Sequence, residues 1–280
     1  MKKILAILLA IMICAATLAA CGGSEKSGSD NSDVTVEEQT ILDDQGVKAV
    51  VKGYGKFKNE MLSLEHALLI DVTNSTDKDI SFGLSHCSVN GYMVNSNYYY
   101  TIEAGKADTY PVVFEDSALE SAGITTIADY EFCIVVQDND TYEALIESDP
   151  VSIKTSAYEG FEYKYDESGT VLYDNDGIKI IAKDQEDDDY LGPCVNIYAA
   201  NGSDKNIGVS VVSGSVNGKE VQDFYYNSEL FAGKRSVDLL SIDEEERPEK
   251  IESFNLSFSI YDLDTGDLIV EKTEPASVSF

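Results

Sequence analysis

The sequence predicts an all-β protein: two tandem β-sandwich domains behind a signal peptide and a flexible linker. Three observations carry that prediction. Apolar and polar residues alternate over short stretches, as in Leu68, Ile70, Val72 and again in Val195, Ile197, Ala199, which puts one face of each strand in a core. Turn pairs such as Asn90-Gly91 and Asn217-Gly218 separate the stretches. Sliding the chain along itself by about 127 residues brings the same marks into line, so most of it reads as one unit written twice. Its 280 residues suffice for two ordinary domains, and 43% apolar content can fill their cores.

Residues 1–20 read as an export signal. Lys2 and Lys3 precede an apolar run from Ile4 to Leu18, long enough for a signal-peptide core and short for a membrane span. The run ends in Leu18-Ala19-Ala20-Cys21, which resembles the lipobox of bacterial lipoproteins. That resemblance implies cleavage after Ala20, with diacylglycerol on Cys21 as the lipid attachment. Two acyl chains make a stable anchor where one is marginal. Residues 21–33 are Gly, Ser, Asn and charged residues after Cys21, so they are expected to form a disordered tether that keeps the folded part near the membrane. Gly22 and Gly23, where an Asp would act as an inner-membrane retention signal, point to a Gram-positive source and to the extracellular face of its cell membrane.

The two units are placed at 34–155 and 158–280. Asn74-Ser-Thr-Asp77-Lys78 answers Asn201-Gly-Ser-Asp204-Lys205, Val89-Asn90-Gly91 answers Val216-Asn217-Gly218, and Ala104-Gly105-Lys106 answers Ala232-Gly233-Lys234. Alternation continues in Ile80, Phe82, Leu84 and Ile207, Val209, Val211, and in Tyr130 to Val136 and Phe254 to Ile260. In the strands at Leu68 and Val195 the intervening residues, Asp71 and Thr73 or Asn196 and Tyr198, are expected to face outward. Ser117-Ala-Leu-Glu120 has the pattern of a helix capping box, answered by the acidic run Asp243–Glu246. At this level the units resemble the immunoglobulin-like domains of uncharacterised Gram-positive lipoproteins. The resemblance implies an architecture and no activity; the buried Trp and inter-sheet disulfide of antibody domains have no counterpart, since the chain has no Trp and the copies share no Cys position.

A net charge of −31 excludes nucleic acid as a partner, because such binding displaces counterions with Lys and Arg. His-based catalysis has little material: His66 and His86 align with Pro193 and Ser213, so no site is duplicated. No enzyme activity and no cofactor are expected. Of the Cys residues beyond Cys14 and Cys21, Cys87 and Cys133 could bridge the two sheets of one domain, or remain free thiols like Cys194. Asp187, Asp188 and Asp189 are calcium candidates, set against a solvated acidic loop; they lack the spacing of an EF-hand. Of 17 Tyr, the pairs Tyr98-Tyr99 and Tyr225-Tyr226 fall at matching positions and are candidates for partner contact, or for scaffold. The copies also differ in one loop, aromatic and basic at Gly53–Asn59 and acidic at Asp184–Asp189; these loops meet each other or serve different partners. The reading is therefore a membrane-anchored, non-catalytic binding or scaffolding lipoprotein, with an envelope protein or polysaccharide as partner. Its alternatives are a solute- or calcium-binding protein and an accessory subunit of an envelope enzyme or transporter.

Overall fold

A computed structural model describes residues 34–59, 62–96, 98–114 and 116–280. The signal, Cys21 and the tether lie outside the described residues. The N-terminal half contains β1 (Gln39–Asp44), β2 (Val47–Lys58), β3 (Ser63–Asn74), β4 (Ile80–Val89), β5 (Tyr92–Met93), β6 (Tyr99–Ile102), β7 (Ala107–Val112), α1 (Asp116–Ser121), β8 (Asp129–Asp138), β9 (Ala144–Glu147) and β10 (Val151–Lys154). The C-terminal half follows the same order with β11 (Thr170–Asn175), β12 (Ile178–Asp188), β13 (Gly192–Asn201), β14 (Ile207–Val216), β15 (Lys219–Val221), β16 (Phe224–Tyr225), β17 (Asn227–Leu230), β18 (Arg235–Ile242), β19 (Ser253–Asp262), β20 (Leu268–Val270) and β21 (Ala276–Ser279).

These strands form three sheets. A four-stranded sheet has the order β1-β2-β3-β7, and a six-stranded sheet is built on β15-β14-β19-β20, with β17 and β21 at its sides. Between them an 11-stranded sheet runs β10-β8-β4-β5-β18-β13-β12-β11, with β6, β9 and β16 at its sides, and crosses from one half of the chain to the other. One core lies between the first sheet and the β10-β8-β4 arm; a second lies between the β18-β13-β12 arm and the six-stranded sheet. The crossing is a parallel contact of β5 with β18, where Tyr92 stands opposite Arg235 and the Arg235 amide donates to Gly91 O at 3.1 Å. The outer edge of β7, which holds Pro111 opposite Leu69, has no such partner among the described residues.

Local chemistry explains the turns. Asn90 and Gly91 have φ of 50° and 80°, Asn217 and Gly218 of 52° and 76°, as a tight two-residue hairpin requires. Asn74 Nδ2 donates to Lys78 O at 2.8 Å and Ile102 O at 3.0 Å, and Asn201 Nδ2 to Lys205 O at 2.7 Å and Leu230 O at 3.0 Å. Beside each, a lysine reaches the strand end across the turn: Lys78 to Asp138 at 2.7 Å, Lys205 to Asp262 at 2.8 Å. The same small network thus pins the same corner in both halves.

Three expectations need correction. The helix starts at Asp116, so Ser117 lies inside its first turn, and the answering acidic run forms a single turn in which the Asp243 carboxylate accepts from the Glu245 amide at 2.9 Å. Tyr198 does not face outward. It is fully buried and belongs, with Ile181, to the first core, because the N-terminal half and the connecting segment cover the outer face of β12 and β13. Cys87 and Cys133 lie on β4 and β8, neighbouring strands of one sheet, so a bond between them would be a cross-strand link in place of an inter-sheet one.

The connecting segment is strapped down. Tyr165 packs edge-on to Tyr92 at 5.6 Å and carries the Arg235 guanidinium 3.5 Å from its ring centre. Tyr163 hydroxyl donates to Asp129, Asp166 pairs with Lys183 at 2.6 Å, and Glu167 pairs with Lys179 at 2.7 Å. Lys234 adds a tie to Glu131 of the other half at 2.7 Å.

Candidate functional site

Where the halves meet, they enclose a polar cleft of about 450 Å³. Its N-terminal wall is set by a bulge in β4 between Ser85 and Ser88, at which His86 takes a left-handed φ of 53°. A non-glycine residue there costs about 1–3 kcal/mol, so the surrounding packing must hold it. The bulge brings the imidazole edge-on to Phe231 of the other half, 4.6 Å between centroids. Asn95, Ser96 and Tyr99 continue this wall.

The opposite wall exists because the halves differ. Strand register makes the equivalence exact in position: Ile70 faces Tyr110 and Phe82 faces Tyr100, while Ile197 faces Asp238 and Val209 faces Ser228. In the N-terminal half Tyr110 is fully buried with its hydroxyl donating to Tyr98 O at 2.9 Å, and Tyr100 reaches Asp108 at 2.9 Å. In the C-terminal half Asp238 and Ser228 stand where those two rings would be, and the Ser228 and Ser236 hydroxyls meet at 2.7 Å. Two rings replaced by short polar side chains leave room that packed cores do not have.

The electrostatics of this wall are one-sided. Asp238 and Glu229 line the cleft, which carries no Lys or Arg, and neither makes an ion pair among the described residues. Burial pushes the Asp238 carboxyl above the ordinary range, opposed by the hydroxyls of Ser236 and Ser228. Tyr226, only 6% exposed, is raised further by burial and by the charge of Asp238, and its hydroxyl has no hydrogen-bond partner. Ser96 Oγ, on the facing wall, is likewise buried and unpartnered.

The residues singled out in the sequence scatter. Tyr99, 43% exposed, lines the cleft, and Tyr98 is half-buried against Tyr100 and Tyr110. Tyr225 is 56% exposed and donates to Asp243 at 2.8 Å, away from the cleft. The two aromatic pairs are not equivalent as aligned: register sets Tyr99 against Asn227, so Tyr226 answers Tyr98, one residue off the sequence match. Asp187, Asp188 and Asp189 end β12 in an Asx turn, where Asp188 accepts from the Tyr190 and Leu191 amides at 2.8 and 2.7 Å and is thereby lowered. Among the described residues no group of three or more His, Cys, Asp or Glu converges to hold a metal. Cys87 is a buried free thiol pushed up to about 12 by burial and then by Cys133, which is free and half-buried; Cys194 is free, buried and raised to about 11, first by burial. The stretches at Gly53–Asn59 and Asp184–Asp189, expected as loops, are the ends of β2 and β12, and each bonds within its own half, Tyr54 to Tyr130 at 2.6 Å and Gln185 to Ile251 O at 2.5 Å.

Sequence reasoning missed Asp238, Ser228 and Ser236. The signal was present: in Arg235–Ile242 the phase shared by the buried Leu240 and Ile242 also carries Ser236 and Asp238, polar residues where the core pattern calls for apolar ones.

No family model matches this chain, and a search of curated proteins finds no match. Among solved structures, the YadV chaperone aligns over 76% of this chain and 92% of its own at 12% identity, with a TM-score of 0.22. A calcium-binding mutant of Bacteroides uniformis beta-glucuronidase 2 aligns over 88% of this chain and 28% of its own at 11% identity, also with a TM-score of 0.22. Scores this low define no shared fold, and neither likeness carries an argument about ligand or activity.

Proposed function

We propose that this chain is an exported lipoprotein, held at the extracellular face of the cell membrane through diacylglycerol on Cys21, whose two immunoglobulin-like sandwiches act as a non-catalytic binding module. The cleft between the halves is its binding site. The observation that carries this reading is that the buried Tyr110 and the half-buried Tyr100 of one copy are answered by Asp238 and Ser228 in the other, which opens a polar cavity lined by the unpartnered Ser96 hydroxyl. Buried polar groups without partners are costly, so a site that keeps them is better explained by a ligand that satisfies them. His86 lines the cleft with its ring edge-on to Phe231, a packing contact between the halves. The anchor reading rests on the Leu18–Cys21 sequence and the tether that follows.

Two measurements test it. Cys21→Ala should leave the chain in the soluble fraction of lysed cells or unprocessed; a variant cut and anchored as before would sink the anchor reading. Amide exchange of β17 and β18 in the full chain, with and without a panel of soluble saccharides and amines, should show protection by at least one compound, and uniform exchange with all of them would remove the cleft as a binding site.

A further inference from the structure

The chemistry of the cleft narrows what it takes. Resting on the binding reading above, we infer that the cleft binds a small polyhydroxylated amine, its ammonium seated at Asp238 and its hydroxyls on the serine and asparagine side chains around it.

Three features point to that class. First, the site is acidic without a counter-ion: Asp238 and Glu229 line it, no Lys or Arg does, and neither carboxylate is paired among the described residues. Arg235, close in sequence, points the other way, since residues 235 and 238 fall on opposite faces of β18, and its guanidinium is taken by Tyr165. A ligand cation supplies the missing partner, and a charge-assisted hydrogen bond in a partly desolvated site is among the strong ones. An anionic ligand would meet two carboxylates, so it is excluded. Second, part of the lining both donates and accepts, Ser96 and Asn95 on one wall and Ser228, Ser236 and Asn227 on the other, beside the apolar Leu84, Met93 and Val94. Ser228 and Ser236 bond each other and Asn227 Oδ1 accepts from Ser210 and Tyr261, so a ligand hydroxyl would join an existing network on that wall. Ser96 Oγ lacks a partner, which a bare alkyl amine would leave unmet and a ligand hydroxyl would supply. Third, the volume of about 450 Å³ suits a ring of saccharide size, and the exposed ring of Tyr99 offers it an apolar face.

Saturation-transfer NMR on the full chain in detergent tests the assignment with three probes: glucosamine, glucose of the same size, and the larger neutral N-acetylglucosamine. Glucosamine should show transfer and a millimolar affinity, with the two neutral sugars roughly tenfold or more weaker, as the loss of one charged hydrogen bond predicts. Asp238→Asn keeps the shape and removes the charge, so it should bring glucosamine to the level of glucose. Asp238→Tyr restores the residue that the N-terminal half carries and should fill the cleft, abolishing transfer to all probes without lowering Tm. If glucose binds as well as glucosamine, and Asp238→Asn changes neither, the amine assignment falls while the cleft remains a binding site. If none of the probes binds the unmodified protein, the assignment falls as well, and the exchange panel decides the fate of the cleft.

Discussion

Asp138 and Asp262 show what a single carboxylate does in this fold. Each closes its own turn by accepting two backbone amides, from Asp140 and Thr141 at 3.0 and 3.1 Å and from Asp264 and Thr265 at 3.0 and 3.2 Å. Each also receives a lysine from the turn that Asn74 or Asn201 organises. Lys78 is the main reason that Asp138 is lowered to about 2, and Lys205 is the main reason that Asp262 is lowered. A carboxyl whose folded pKa lies below its unfolded one contributes stability that is complete above the unfolded value and is lost as pH falls through the folded value. Replacing both residues by Asn should therefore lower Tm at neutral pH and flatten its decline between about pH 5 and pH 2, where the unmodified chain loses this contribution. Thermal melts across that range check it; parallel curves for both proteins would show that these carboxylates do not couple to folding. The lysine of each pair is more exposed than its aspartate, so the turn geometry and not the ion pair alone has to carry much of the effect.

Paired elements offer a cleaner experiment than any one residue, because the repeat supplies its own control. Gly91 and Gly218 end the same hairpin with nearly the same φ. A methyl group added at Gly218 meets nothing within 4 Å; at Gly91 it would sit 3.1 Å from Tyr165 Oη and 3.3 Å from Arg235 Nη1. Gly218→Ala should then cost about 1–2 kcal/mol from the left-handed backbone alone, and Gly91→Ala more, the excess measuring the joint of β5 with β18. Denaturant titration of the two variants gives both numbers, and equal losses would mean that the joint adds nothing. The hairpins themselves were legible in the sequence, because few residues tolerate positive φ and Asn-Gly announces them. So was the alternation of the inner strands. The joint was not, because it is made where the copies disagree: Tyr92 stands where the other copy has Lys219, and Arg235 where it has Ala107. Agreement between repeats reports what each half needs to fold. Their disagreement, at Tyr198 on an outward phase or Asp238 on an inward one, reports what the halves do together, and it takes the register of the strands to align it.

The whole molecule depends on the segment between its halves. With Tyr165 wedged between Tyr92 and Arg235, and Asp166 and Glu167 tied to β12, this stretch behaves as part of the fold. Exchanging residues 161–168 for Gly and Ser should free the halves to move, widening the small-angle scattering profile and splitting one calorimetric transition into two; an unchanged profile would place the coupling entirely in β5, β18 and the Lys234 to Glu131 pair. The high negative charge, −31 over the chain, spreads over both halves and favours solubility over any one contact. One further consequence follows from Pro111. A repeat whose first half lends a strand to the edge of its second could, by the same rule, lend its own β15 to the β7 edge of another molecule, and such head-to-tail contacts do not close into a ring unless the rotation allows it. A proline on an edge strand offers an incoming strand no N–H, and Lys219 brings a charge where Tyr92 packs. The expected outcome is that a chain carrying Pro111→Leu, Lys219→Tyr and Ala107→Arg sediments faster as its concentration rises, where the parent does not.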